Sequence, residues 1–278
     1  MNRRDFLAGT VTGVASAGLI GLSARAMLSR PSAASPQSKP GVPTAAAPEP
    51  PPKAAPPVTY QYKGRVSFAQ QGEDLILFNL LRHEFGIQNP SYLDVGAGDP
   101  VLSNNTYALY GTGSRGVLVE PNPTLVAALI AVRPGDVVVP AGVGVGKSRE
   151  ADYYVIRDRW PLNTFSAEVV AELRKQSKED PVEKVLKMPL VPVNELMATH
   201  FKTAPDLLSI DIEGLDLDVL RSMDFRAHRP AAICAETKKP RTSHDDTAIA
   251  RFLRSRGYVA CAGSLYNTIF GDSKRFRT

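Results

Sequence analysis

The sequence predicts a doubly wound α/β fold with a mostly parallel sheet. Three observations carry this. Short apolar runs alternate with helix-length segments from residue 73 onward, the pattern of strands joined by crossover helices. The runs themselves are continuously apolar rather than alternating, as strands buried on both faces are. The first of them closes in a glycine-rich turn, Gly96-Ala97-Gly98, where open α/β sheets hold their ligands.

In order, Leu75, Ile76, Phe78, Leu80 and Leu81 fall in a helix-length run that ends near Gly86. Ser91–Val95 is a first strand, and Ser103-Asn104-Asn105-Thr106 offers caps for a following helix. Gly116–Glu120 is a second strand, followed by Pro121-Asn122-Pro123 and a helix through Val132. Val137–Val143 is a third strand. Residues 157–200 are less regular and read as an insertion after it, with a charged, helix-prone stretch Glu168–Lys178 broken by Asp180-Pro181. Leu207–Asp211 and Ala231–Glu236 are further strands, and Thr247–Arg256 is a helix.

The flanking segment is different. Of 23 prolines, ten lie between Pro31 and Pro57, so residues 27–59 read as an extended Pro/Ala-rich linker without a core. Residues 1–26 begin with Arg3-Arg4 and Phe6-Leu7, run uncharged to Leu22 and reach Ala24-Arg25-Ala26. This is the layout of an export signal and resembles a twin-arginine (Tat) signal. It predicts delivery through the Tat translocon to the periplasm or a tether at the inner membrane, with a domain left on the cytoplasmic face as a further outcome. The folded domain is expected over residues 60–278.

The chain carries 33 Lys+Arg against 28 Asp+Glu, a net +5. Six of the basic and two of the acidic residues precede position 60, which leaves the remainder near neutrality. A nucleic-acid binder needs a concentrated cationic face, so that class is excluded as the main role. Two cysteines, Cys234 and Cys261, build no disulfide scaffold or zinc site and are expected to be buried thiols.

The first strand ends Asp94-Val95-Gly96-Ala97-Gly98-Asp99-Pro100. A dinucleotide fingerprint requires glycine at 101, where this chain has Val. Asp99 and Pro100 also set a negative charge and a missing donor where a pyrophosphate would lie. Glu120, ending the second strand, is placed to accept from ribose hydroxyls. An acidic strand end beside a glycine turn with an added carboxylate fits S-adenosylmethionine (SAM), whose sulfonium and ammonium are cationic.

Seven blocks then appear in order: SFAQQGEDLIL (67–77), YLDVGAGDP (92–100), SNNTYALY (103–110), GVLVEPNP (116–123), NTFS (163–166), LLSIDIEGLDLDVL (207–220) and LYNTIF (265–270). In these the chain resembles the FkbM-type methyltransferases of the class I SAM-dependent fold. The resemblance implies methyl transfer from SAM to an acceptor, usually an oxygen, on a hydroxylated small molecule, glycan or lipid. It implies that Asp94, Gly96, Gly98 and Asp99 form the SAM turn, that Glu120 clamps the ribose, and that Gln71 and Glu73 cover the same pocket. Ala141-Gly142-Val143-Gly144 stands where many class I enzymes carry an adenine-binding acid, so adenine contact there is expected from backbone.

For the chemistry, Asp211 and Glu213 end the fourth strand and Glu236 the fifth. A carboxylate serves as base for a hydroxyl, and three carboxylates at neighbouring tips suit a Mg²⁺-like cation. Both acids also suit helix capping after Gly214. His244, beside Asp245 and Asp246, is a further candidate base or a residue of the helix N-cap region. His83, His200 and His228 lack a partner pattern. Two other readings of the chain remain: an exported, non-catalytic ligand-binding protein on the same fold, and a metal-dependent hydrolase using Asp211, Glu213 and Glu236.

Overall fold

The computed structural model describes residues 66–237 and 247–276. The expected signal and linker, and His244 with its neighbours, lie outside the described residues.

The framework is a seven-stranded sheet. Its strands are β1 (Tyr92–Val95), β2 (Gly116–Val119), β3 (Val137–Val139), β7 (Leu207–Ile210), β8 (Ala232–Glu236), β9 (Tyr258–Gly263) and β10 (Asn267–Asp272), in the order β3-β2-β1-β7-β8-β10-β9. The first five pair in parallel; β10 runs antiparallel to both β8 and β9. The strand order reverses between β1 and β7, so a crevice opens beyond their carboxyl ends.

Period-two alternation sorts the buried strand residues onto two faces. Leu93, Val95, Val117, Val119, Leu208, Ile210, Ile233 and Ala235 share one core with Val193, Leu196 and Met197 of α5 (Val193–His200), Val219 and Leu220 of α6 (Asp216–Ser222), and Leu253 of α7 (Ala248–Ser255). Tyr92, Leu118, Leu207 and Cys234 face the other core, with Leu77 of α1 (Glu73–Asn79), Leu109 of α2 (Tyr107–Gly111) and Leu129 of α3 (Pro123–Val132). Among the described residues three helices thus pack on each face, as the continuously apolar strands predict.

The expected third strand is broken. Its chain leaves the main sheet at Pro140 and resumes as β4 (Gly142–Gly144), which joins β5 (Glu150–Ile156) and β6 (Val182–Pro192) in a second sheet of order β4-β6-β5. The insertion is therefore a second small sheet plus α4 (Ala167–Gln176), rather than irregular structure. β6 is long but mostly half-exposed and rich in lysine, so its apolar signal is weak. Cys234 is buried as expected, whereas Cys261 is exposed. No helix among the described residues is long and apolar enough to cross a membrane.

Candidate functional site

A cleft of about 600 Å³, counting its open mouth, lies between the tips of the main sheet and the second sheet. Its main-sheet wall is Val95, Gly96, Gly98, Val119, Glu120, Asp211, Ile212 and Glu213; its opposite wall includes Gly142, Tyr153, Asn163, Thr164 and Phe165.

Gly96 makes the crevice possible. Its φ is +80°, and a Cβ there would sit 2.2 Å from the Asp211 carbonyl oxygen. Only glycine lets the β1 and β7 tips touch in this way. The turn is tied back by Gly96 and Ala97 N–H groups, which donate to the Val119 carbonyl at 2.9 and 3.1 Å.

Glu120 follows β2 and is buried in the cleft wall. One carboxylate oxygen accepts from Gly98 N–H at 2.9 Å, the other from Asn122 N–H at 2.8 Å. Burial pushes its carboxyl up to about 7, against those two bonds; the neighbouring charge of Asp94 adds to the rise.

At the other end of the same wall the β7 strand stops at Ile210, so Asp211 and Glu213 follow the strand rather than end it in extended conformation. Glu213 instead takes a left-handed φ of 53°. That conformation is strained for a non-glycine residue. It is held by Thr164, whose hydroxyl donates to the Glu213 carbonyl at 3.2 Å, and by Asp216, which accepts from Ile212 and Gly214 N–H groups. The turn still brings the acids together: ligand oxygens of Asp211, Glu213 and Glu236 lie within 4.8 Å of one another. Asp216 ties back the turn before α6, whose N-cap position, Leu215, makes no side-chain cap hydrogen bond. Burial, and then the charge of Asp211, push the Asp216 carboxyl up to about 7.

Four predicted ligand residues fall elsewhere. Asp94 points to the opposite face of β1 from Val95, away from the cleft. It accepts from the Thr106 hydroxyl at 2.7 Å, and burial raises its carboxyl. Thr106 is in turn bonded by the fully buried Arg133, which also reaches Asn104, Tyr92 and Asp136. Asp99 caps its own turn, accepting from Val101 and Leu102 N–H groups. Glu73 is fully buried and accepts from Ser264 Oγ at 2.6 Å and Asn267 Nδ2 at 3.0 Å; Gln71 Oε1 accepts from Leu265 N–H at 2.7 Å. Gln71 and Glu73 therefore clamp the start of α1 onto the β9–β10 turn instead of lining the cleft.

The sequence model for the Methyltransferase FkbM domain matches residues 94–260, more than half of the chain. The chain belongs to the FkbM methyltransferase family. Among solved structures, the methyltransferase aligns with a TehB-like SAM-dependent methyltransferase from Corynebacterium glutamicum at 11% identity and a TM-score of 0.37, over 73% of this chain and 88% of that one. The N-methyltransferase NodS from Bradyrhizobium japonicum aligns at 10% identity and a TM-score of 0.35, over 72% and 96%. Neither likeness bears on acceptor or mechanism. No curated protein matches the chain.

Within this methyltransferase, the wall from the second sheet is what sequence reasoning missed. Tyr153 is buried, its ring 4.8 Å from that of Phe165. Phe165 fills the space that a side chain at Gly142 would take. The NTFS motif was visible, but the placement of Tyr153 beside it depends on β5 pairing, which no local pattern announces. Of the histidines without a partner pattern, His83 and His200 are exposed, and His228 Nδ1 sits 2.6 Å from the Thr203 carbonyl.

Proposed function

We propose that this methyltransferase uses S-adenosylmethionine to methylate an oxygen of a hydroxylated small molecule, glycan or lipid. The observation that supports it is that a single cleft contains both a nucleoside grip, Gly96, Gly98 and Glu120, and a pair of carboxylates, Asp211 and Glu213. The residues fit the cofactor. The two glycines leave backbone exposed to it, and the Glu120 carboxylate, oriented by two backbone N–H groups, has lone pairs left for ribose hydroxyls.

When bound, SAM supplies a methyl group on a sulfonium. Gly96, Gly98 and Glu120 would hold the nucleoside, and the acceptor oxygen would take that methyl with the thioether as leaving group. The hydroxyl proton must go elsewhere, and Asp211 or Glu213 takes it. Thr164 holds Glu213 in the turn that points it there.

A second reading of the same end is favoured by the clustering of Asp211, Glu213 and Glu236. An all-oxygen set of this kind suits a hard cation such as Mg²⁺, which would lower the hydroxyl pKa. Turnover that survives EDTA counts against the cation; turnover restored by Mg²⁺ after EDTA supports it. Residues 1–26 are proposed to direct the chain to the membrane or across it by the Tat route; native protein found wholly in the cytosol contradicts that.

Titration calorimetry of the purified chain with S-adenosylhomocysteine tests the cofactor reading. Micromolar binding is expected, weakened at least about tenfold in Glu120→Gln, since hydrogen bonds to a charged acceptor contribute about 1.5–3 kcal/mol each. Asp211→Asn and Glu213→Gln are expected to bind as the native chain does yet lose turnover. No binding by the native chain overturns the reading.

A further inference from the structure

Asn163, Thr164 and Phe165 line the second-sheet side of the cleft, Ser166 follows them, and all but one of their side-chain polar groups are employed. Thr164 Oγ holds the Glu213 carbonyl and accepts from Ser166 N–H; Ser166 Oγ caps α4 through Val169 N–H. Asn163 Oδ1 accepts from Ile156 N–H at 2.8 Å, which fixes the orientation of its amide. The Asn163 Nδ2 group is buried in the cleft wall without a partner at hydrogen-bond distance, although it lies near the Tyr153 hydroxyl. The Nδ2 group carries two N–H donors, so even with the Tyr153 hydroxyl beside it at least one is left for an acceptor that the polypeptide does not supply.

Its surroundings say what. Asn163, Tyr153 and Glu120 line the same cleft, and Tyr153 next to Asn163 feels the charge of Glu120. Glu120, when ionised, only accepts; the Nδ2 group only donates. A ribose diol needs both, because each hydroxyl carries one proton and two lone pairs. Glu120 takes the protons from the main-sheet side and leaves the lone pairs facing the second sheet.

We propose that Asn163 is a cofactor-binding residue, its Nδ2 donating to a ribose hydroxyl oxygen of the nucleoside that Glu120 grips. The inference rests on the proposed function and adds a recognition residue on the second sheet's side. Asn163→Asp tests it, because the substitution keeps the acceptor for Ile156 N–H while replacing the donor by a carboxylate; Asn163→Ala is the uncharged second variant. Each is titrated calorimetrically with S-adenosylhomocysteine and with its 2′,3′-dideoxy analogue, alongside thermal melting. Expected is a loss of at least about tenfold with S-adenosylhomocysteine in both variants, as removing one buried donor costs. With the dideoxy analogue the loss shrinks to about twofold or less, because the partner is gone. Equal losses with both ligands, or variants that bind S-adenosylhomocysteine as the native chain does, overturn the assignment. A native chain that ignores both ligands overturns the cofactor reading itself, a separate and recognisable result.

Discussion

Glu120 sets the behaviour of the site at the scale of single residues. Its carboxyl, pushed up to about 7 by burial, is largely protonated in mildly acidic solution, and only its ionised form accepts from both ribose hydroxyls. Affinity for S-adenosylhomocysteine should therefore rise as pH increases from 5.5 and level off above about 7.5, by calorimetry at each pH. In Glu120→Gln the profile should be flat across that window. Asp94 behaves differently. Its carboxylate answers Thr106 and, through it, Arg133, so Asp94→Ala leaves buried donors unpaired. Urea unfolding should show a loss of about 1–3 kcal/mol, the cost of removing a buried hydrogen-bond acceptor while Arg133 keeps its ion pair with Asp136, rather than a selective loss of binding. The sequence made Glu120 legible because a strand-end acid after an apolar run has one obvious direction. It misplaced Asp94 because β1 is buried on both faces, and such a run carries no polarity to say which face a given side chain meets.

Among the elements, the touching tips of β1 and β7 and the Asn163–Phe165 segment opposite them position the chemistry. Gly96→Ala forces a Cβ against the Asp211 carbonyl at a positive φ. It should cost about 2–4 kcal/mol in stability and abolish turnover, read by thermal melting and methyl-transfer assay together. Thr164→Val removes the hydroxyl from the Glu213 carbonyl and lets the left-handed turn relax. The expected result is a kcat lower by about tenfold or more with S-adenosylhomocysteine affinity unchanged, since the strain is released at the acceptor end. The five parallel strands of the main sheet and the helices between them were readable because each strand is a short apolar run, whereas the antiparallel β9 and β10 were not assigned, since β10 mixes polar residues and glycine into its run. The second sheet was not, because β6 mixes lysines with half-exposed apolar residues, and its pairing with β4 and β5 joins segments far apart in sequence.

For the whole molecule, the carboxyls of Glu120 and Asp216, each pushed up to about 7, act together on stability. An acid whose folded pKa lies above its unfolded value binds more protons when folded, so its stabilising contribution is present at low pH and fades as pH rises. The folded chain should lose stability between about pH 4.5 and 7 and change little above that, as a series of melting curves would record. The doubly wound class followed from the order of elements alone, while the assignment of chemistry required knowing which side chains share the cleft. The central claim is that one cleft seats the nucleoside at Glu120 and leaves its reactive carbon facing Asp211 and Glu213. A crystal structure of the complex with S-adenosylhomocysteine tests this most directly. Ribose oxygens should lie within hydrogen-bond distance of the Glu120 carboxylate, with the sulfur turned toward Asp211. A nucleoside bound anywhere other than this cleft, or with its ribose away from Glu120, contradicts it.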